Sequence, residues 1–171
     1  ALGIACCALL AAFGLGRAVA GRNAGLLGGL VLAIQPLFVA QTAQVLPEML
    51  LAACCTAALW AHIASRRAAY LVFASMGVLT KETAVVLPAG LVLAEVVLAG
   101  LRGVREPGLV RRLSVIVLPL VPLAVFLAVQ RAQHGWFMFP YHTGFLATSP
   151  WAVLDRASFF FGFAFVGQGR F

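Results

Sequence analysis

The sequence predicts an all-α integral membrane protein, a polytopic bundle of transmembrane helices. Hydrophobic residues make up 63% of the 171 residues and charged residues only 10%, whereas soluble globular domains carry about 25% charged residues. The apolar runs are continuous rather than alternating, which excludes a transmembrane β-barrel and leaves a helix bundle. Most charged residues lie between the apolar runs, as the loops of a membrane protein do.

Seven apolar runs follow one another, and each predicts a span. They cover residues 1–16, 24–41, 48–64, 68–80, 83–100, 113–130 and a last run that begins near Ala157. We interpret residues 1–171 as a single transmembrane domain. Gln35–Pro36 predicts a kink in the second span, and Pro119 and Pro122 predict bends in the sixth, because neighbouring helices can satisfy the backbone groups that proline leaves unpaired.

The run over residues 68–100 requires a break. As one helix it would be about 50 Å long at ~1.5 Å per residue, whereas the hydrocarbon core of a bilayer is about 30 Å thick. The stretch Val78–Pro88 holds Lys81 and Glu82 within this run. We therefore expect the chain to break there, between a short span and a second one.

The arginines support this division. The chain has eleven Arg and one Lys and a net charge of +7. If every run crosses, one side receives Arg17 and Arg22, Arg66 and Arg67, and the four arginines of residues 102–112. The positive-inside rule makes that side cytoplasmic. This orientation accounts for the basic charge, and since the sequence carries no nucleic-acid motif, we expect no nucleic-acid partner.

The opposite, extracytoplasmic face then collects most of the residues that could carry chemistry. They are Glu48, Lys81, Glu82, His134, Tyr141 and His142. Ionised groups within apolar runs are costly and usually face a bundle interior or a watery cavity. This gathering predicts a site at that face.

Each of the charged candidates has two interpretations. Glu48 opens a span, where the helix dipole favours an acid, or it is a carboxylate at the rim of a cavity that holds a sugar hydroxyl, a cation or a proton. Lys81 and Glu82 either extend to the interface from a helix end or bind a ligand. In the second case Lys81 contacts an anionic group such as a phosphate, and Glu82 orients it or binds a polar group.

Residues 131–156 are predicted to form a long aromatic loop, and this segment supplies two further candidates. An interfacial aromatic belt explains most of its rings. Alternatively the segment forms a wall of a binding site, with Tyr141 and His142 providing directional hydrogen bonds. Glu95 lies inside a span near its cytoplasmic end, where we expect a buried carboxyl that is hydrogen-bonded or protonated. No nucleotide-binding loop, serine-hydrolase motif or metal-spaced His/Cys cluster is present in the sequence.

Two stretches resemble the GT-C superfamily of integral-membrane glycosyltransferases, and most closely its branch of protein O-mannosyltransferases and bacterial aminoarabinose transferases. The stretches are AGLLGGLVLAIQPLFVAQTAQVLPEMLLAA and AAYLVFASMGVLTKETAVVLPAGLVL. In that branch a proline-led stretch precedes an acid that opens the next helix, and G-x-L-T-K follows at the outer face. Pro36 to Glu48 and Gly77 to Lys81 match these features, and the likeness is best over residues 1–100.

The resemblance implies an enzyme that moves a sugar from a polyprenyl-phosphate donor to an acceptor outside the cytoplasm, in a bacterial inner membrane. Lys81 would contact the lipid phosphate, and Glu48 would be a catalytic residue near the reacting centre. Glu82, Tyr141 and His142 would bind substrate. Membrane lipid and the donor would be partners, together with an unidentified protein, lipid or glycan acceptor. The implied cofactor is the lipid-linked donor; no metal-binding residue is assigned, and some members of the family bind a divalent metal whereas others do not.

The family places its catalytic acid in the first outer loop, and its position corresponding to Glu48 is more often Asp. The chain lacks an initial Met, ends within an apolar run and matches the family from its second helix. We therefore expect an internal piece of a longer protein, without that loop or the C-terminal region, and inactive in isolation. Two other interpretations stay open: a transporter or flippase of a lipid-linked or polar substrate, and a non-catalytic membrane scaffold.

Overall fold

The fold is seen in a computed structural model that describes residues 1–43, 46–101, 108–137 and 149–161. Helices account for 89% of the described residues, and none of these residues lies in a β-strand. The prediction of an all-α fold is therefore confirmed. Tyr141 and His142 lie outside the described residues.

Nine α-helices and one short 3-10 helix are present in these ranges. They are α1 (Leu2–Ala20), α2 (Arg22–Ile34), α3 (Pro36–Thr42), α4 (Pro47–Ile63), α5 (Arg67–Thr80), the 3-10 helix (Glu82–Val85), α6 (Val86–Leu101), α7 (Leu109–Val117), α8 (Leu120–His134) and α9 (Pro150–Phe161). The chain divides into two compact units, Ala1–Phe126 and Leu127–Phe171. Each unit is described by itself.

Helix α1 packs through small residues against α2 and α4. Its buried positions recur every three residues and are Ala5, Ala8, Ala11 and Gly14. A Cβ atom on Gly14 would lie 2.6 Å from the Trp60 ring of α4, and one on Gly25 of α2 would lie 2.6 Å from the Phe13 carbonyl oxygen. Because both distances are too short for a methyl group, glycine is what lets these helices approach.

Helices α4 and α5 form an antiparallel hairpin that is the centre of the first unit. The turn between them includes Ser65, whose φ is 57°, and Arg66, whose N–H donates to the Ala61 carbonyl at 2.8 Å. The buried residues of the hairpin are mostly small: Ala53, Cys54, Ala57, Ala58 and Ala61 on α4, and Ala74 and Gly77 on α5. Small residues at a helix interface allow the backbones to approach closely.

Helices α6 and α7 pack against this hairpin. Leu87 and Leu91 of α6 and Val115 of α7 contact the cluster formed around Ala58 and Tyr70. Tyr70 is 1% exposed, and its hydroxyl donates to the Ile116 carbonyl at 2.8 Å. Ile116 lies in the last turn of α7, where carbonyl groups lack helical partners, so the hydrogen bond ties the end of α7 to α5.

The surface of the first unit carries large apolar side chains. Leu26, Leu30 and Ile34 on α2 and Leu93 and Val96 on α6 are between 47% and 67% exposed. The buried set consists mainly of alanines. Small residues inside and large apolar residues outside are the pattern expected when lipid, rather than water, surrounds the helices.

The described helices include two to four recognisable spans, where the sequence predicts seven. Among the described helices, Leu2–Ala20 and Glu82–Leu101 are long and apolar enough to cross a membrane, and the count rises to four if each of two bent helix pairs is one span. The predicted spans 48–64 and 68–80 form helices of 17 and 14 residues. At ~1.5 Å per residue these helices reach only about 26 and 21 Å, short of a hydrocarbon core of about 30 Å.

The predicted breaks are largely confirmed. Helices α2 and α3 meet at a 68° bend at Gln35–Pro36, and α7 and α8 meet at a 42° bend at Leu118–Pro119. Pro122 lies within α8 without interrupting it. Helix α5 ends at Thr80, and Lys81 is extended before the 3-10 helix begins.

In the second unit the predicted loop and last span need correction. Helix α8 continues to His134, and α9 already begins at Pro150 rather than near Ala157. The Ser149 hydroxyl accepts a hydrogen bond from the Ala152 N–H at 3.2 Å, and Pro150 occupies the first helical position. Serine at the N-cap followed by proline is a standard helix start.

We expect Gly14→Val to lower the free energy of unfolding by about 1–3 kcal/mol, because the added side chain overlaps the Trp60 ring. Gly3→Val in the same helix is the matched control, since a Cβ there meets nothing within 4 Å. Thermal unfolding in detergent micelles measures both. Equal melting temperatures for the two variants would contradict the close packing of α1 against α4.

Candidate functional site

Lys81 occupies the gap between α5 and the 3-10 helix. Its backbone is extended, with φ −157° and ψ 129°. Its N–H donates to the Gly77 carbonyl at 3.0 Å, and its own carbonyl accepts from the Ala84 N–H at 3.0 Å. The break is therefore held by hydrogen bonds on both sides, which fixes the position from which the Lys81 side chain projects.

Glu48 lies in the first turn of α4. Pro47 is the first helical residue and Leu46 is the N-cap, with no side chain capping the helix. The first amide groups of a helix lack internal partners and carry a partial positive charge. A carboxylate is stabilised at this position, so the structure agrees with the helix-dipole interpretation of Glu48 and leaves the ligand-binding one open.

The two residues form an ion pair. Lys81 Nζ lies 3.1 Å from Glu48 Oε1, and the side chains are 38% and 45% exposed. Water and salt screen a pair this exposed, so it contributes little to stability.

The antiparallel hairpin brings these residues together. A Cβ atom on Gly77 would lie 3.6 Å from Cys54 Cβ and 3.8 Å from Cys55 Sγ, so α5 runs against α4 one to two turns from the pair. Glu48 lies 17 residues before Ser65 and Lys81 lies 16 residues after it. Counting from the turn in both directions would have predicted this contact, which our sequence analysis missed.

The other predicted site residues are Glu82, His134, Tyr141 and His142. Glu82 is exposed at the start of the 3-10 helix, and within the described ranges it makes no ion pair with Lys81. His134 belongs to the second unit, where its ring stacks on Trp136 at 5.5 Å between centroids. Tyr141 and His142 fall outside the described residues, so their predicted role stays a prediction.

An apolar pocket of about 400 Å³ lies next to the ion pair along the chain. Leu51 and Cys55 of α4 line one side, and Thr83, Ala84 and Leu87 line the other, together with Val86, Gly90 and Leu91. Leu51 follows Glu48 by three residues and so shares its helix face. Thr83 follows Lys81 by two residues. A ligand with a charged head and an apolar part could therefore use both.

The pair offers donors and an acceptor, but no metal cluster is seen. Lys81 has three N–H donors and Glu48 has free carboxylate lone pairs, so together they can bind an anionic or polyhydroxyl group. Across the described ranges, no group of three or more His, Cys, Asp or Glu side chains is placed to hold a metal ion.

A second charged cluster, at the other end of α4, was not predicted. Glu95 of α6 lies 3.6 Å from Arg112 Nε and 3.9 Å from His62 Nε2. The sequence predicted a buried carboxyl at Glu95, and its side chain is instead 21% exposed between two basic groups. The cluster is formed by residues from three helices, so no local sequence pattern predicts it.

Comparisons with protein-family models, with curated proteins and with solved structures find no match to this chain.

We expect Glu48→Lys and Lys81→Glu each to lower the melting temperature slightly, because each places like charges side by side. We expect the double variant, in which the two charges are exchanged, to recover part of this loss in melting temperature. Full recovery is not expected, since a lysine in the first turn of α4 opposes the helix dipole. Glu82→Gln is the matched control for loss of a nearby acid. Thermal unfolding at low salt measures the series, and a double swap that loses as much as both single variants together would contradict the contact.

Proposed function

We propose that this chain is part of a membrane glycosyltransferase that moves a sugar from a polyprenyl-phosphate donor to an extracytoplasmic acceptor. The observation that carries the proposal is the Glu48–Lys81 pair at a broken apolar segment, 3.1 Å apart and partly open to solvent. Both residues belong to the stretches that resemble GT-C glycosyltransferases. The absence of matching relatives leaves that resemblance and this geometry as its support.

Lys81 would bind the donor phosphate. Glu48 uses one of the three ammonium donors, so two remain for phosphate oxygens. When the bond between the sugar C1 and the phosphate oxygen breaks, negative charge grows on the departing phosphate. A fixed cation at that oxygen stabilises this charge and lowers the barrier. The backbone hydrogen bonds that flank Lys81 hold the cation in place before the donor arrives.

Glu48 would lie at the reacting centre and orient Lys81. In an inverting transfer the acceptor hydroxyl attacks C1, its proton passes to a carboxylate base, and the polyprenyl phosphate leaves. The resemblance places that base in the first outer loop of the family, and not at Glu48. Glu48 then holds the ammonium group when no donor is bound and competes with the phosphate for it when the donor binds. Glu82, Tyr141 and His142 remain the proposed substrate contacts.

The pocket beside the pair suits the apolar part of such a donor. Its lining is dominated by Leu51, Leu87 and Leu91 and contains no charged residue. A polyprenyl chain gains free energy by leaving water, roughly 25 cal/mol per Å² of apolar surface buried. A phosphate on Lys81 with its chain in this pocket would combine two features that lie close together along the chain.

The proposed membrane arrangement has seven spans in a GT-C-like bundle forming a single transmembrane domain of a bacterial inner membrane. Under this arrangement α4 and α5 cross as short helices, and the Glu48–Lys81 pair faces the extracytoplasmic side. The arginines at the opposite end of α4 and α5 support this orientation. Arg66 lies 5.5 Å from the Trp60 ring there, and Arg67 and Arg112 share a pocket. Arginine-rich ends face the cytoplasm by the positive-inside rule.

A transporter or flippase of a lipid-linked substrate is the second candidate. The bends of 68° and 42° and the break at Lys81 favour it, because interrupted helices often form the substrate sites of transporters. Transfer assays distinguish the two. A transporter would move the labelled lipid across the membrane without releasing its sugar to an acceptor.

We expect Lys81→Ala to lower the rate of sugar transfer at least tenfold, about 1.4 kcal/mol of transition-state stabilisation. The assay uses membranes that contain the full-length protein, radiolabelled polyprenyl-phosphate sugars and native acceptors. Arg22→Ala is the matched control, since it removes one exposed positive charge from another part of the first unit.

Three outcomes separate the possibilities, provided that each variant is folded. Transfer that falls with Lys81→Ala and not with Arg22→Ala supports the phosphate contact. Transfer that is unchanged in both variants keeps the enzyme but removes Lys81 from its site. No transfer by the wild-type protein from any donor would contradict the proposed function and favour the transporter.

A further inference from the structure

Three arginines line one pocket at the turn end of the α4–α5 hairpin. We call this site the arginine pocket; its lining residues are Arg67, Gly108, Arg111 and Arg112, and its volume is about 240 Å³. A second cavity of about 370 Å³ adjoins it and shares Arg67 and Arg112. Tyr70, Val115 and Ile116 give this cavity an apolar wall.

The three arginines lie at helix N-termini, which carry a partial positive charge. Arg67 is the first residue of α5, and Arg111 and Arg112 lie in the first turn of α7, which begins at Leu109. Helix N-termini favour anions and disfavour cations. Three guanidinium groups beside two helix N-termini therefore create a positive potential that an anion in the pocket would neutralise.

Few carboxylates oppose this charge in the described part of the chain. Glu95 lies near Arg112, 3.6 Å from its Nε, and near His62. Within the described ranges no acid pairs with Arg67 or Arg111, and both of these side chains are exposed. Glu95 therefore holds one arginine in position while two others remain available to a ligand.

We propose that the arginine pocket binds a phosphate group. Guanidinium groups present paired N–H donors that match phosphate oxygens, and such contacts are shorter and stronger than neutral hydrogen bonds. Two sources offer this chemistry: the headgroup of an anionic phospholipid and a soluble phosphate compound. The apolar wall of the adjoining cavity favours the lipid, because a headgroup in the pocket would leave the apolar part of the molecule against Tyr70 and Ile116.

This site is separate from the Glu48–Lys81 pair. Helix α4 runs from Glu48, in its first turn, to His62, in its last turn, and the two sites lie at its opposite ends. At ~1.5 Å per residue the helix separates them by about 20–25 Å. The inference therefore stands whether or not the chain belongs to a glycosyltransferase.

The test places the full-length protein in lipid nanodiscs and measures its melting temperature and the lipid it retains in native mass spectrometry. One arm compares pure phosphatidylcholine with a mixture containing phosphatidylglycerol. A second arm adds inorganic phosphate to the pure phosphatidylcholine discs. A ligand that binds only the folded protein raises the melting temperature, so each arm reports one source of phosphate.

The test variant combines Arg67→Gln with Arg111→Gln. The matched control combines Arg17→Gln with Arg22→Gln, which removes the same charge from arginines outside the pocket lining. We expect the test variant to weaken preferential retention of phosphatidylglycerol about tenfold or more, and the control to retain it. Arg67→Lys with Arg111→Lys keeps the charge but not the paired donors, and we expect an intermediate loss.

The outcomes decide whether the arginine pocket binds phosphate and whether the phosphate comes from a lipid or from a soluble compound. Stabilisation by phosphatidylglycerol that depends on Arg67 and Arg111 supports a lipid site, and stabilisation by inorganic phosphate alone supports a site for a soluble compound. No stabilisation in either arm overturns the proposal. Equal losses in the test and control variants also overturn it, because they would show general charge attraction. If the glutamine variant melts at a lower temperature than the wild-type protein in pure phosphatidylcholine, the lysine variant takes its place in the test.

Discussion

The close antiparallel packing of α4 against α5 is the constraint on which the rest of the structure depends. It requires small residues at the interface: Ala58 is fully buried, and Gly77 lies against Cys54. Because the two helices stay in close contact from the turn to the open end of the hairpin, the hairpin fixes the positions of the charged residues at both ends. One end holds the Glu48–Lys81 pair, and the other brings His62 near the arginines.

A surrounding lipid solvent, which the long apolar helices are compatible with, would explain how such an interface can stabilise a fold. Large apolar side chains gain little by leaving lipid, so they remain on the surface, while alanine and glycine let helices approach and form many contacts. The same solvent makes a charge within an apolar segment costly. Lys81 is tolerated because the helix breaks there and because Glu48 faces it at 3.1 Å.

Local signals in the sequence predicted much of the fold and less of the site. Proline and charge identified the breaks at Pro36, Pro119 and Lys81, since each acts on its own backbone. Seven apolar runs do not by themselves give seven complete spans, because an apolar run measures composition, whereas a crossing also needs helix length. The Ser149–Pro150 helix start was a local signal that was overlooked. The contact of Glu95 with Arg112 required the packing of separate helices, which no single segment specifies.

The Glu48–Lys81 contact is tested most directly by carbodiimide coupling, which forms an amide only between an amine and a carboxylate that touch. Lys81 is the only lysine in the sequence, so the product is simple to identify. We predict that mass spectrometry of the coupled, folded protein will detect a peptide in which Lys81 is joined to Glu48. This cross-linked peptide should be absent from the Glu48→Gln variant. Coupling of Lys81 to Glu82 alone, or to no carboxylate, in folded protein would contradict the account.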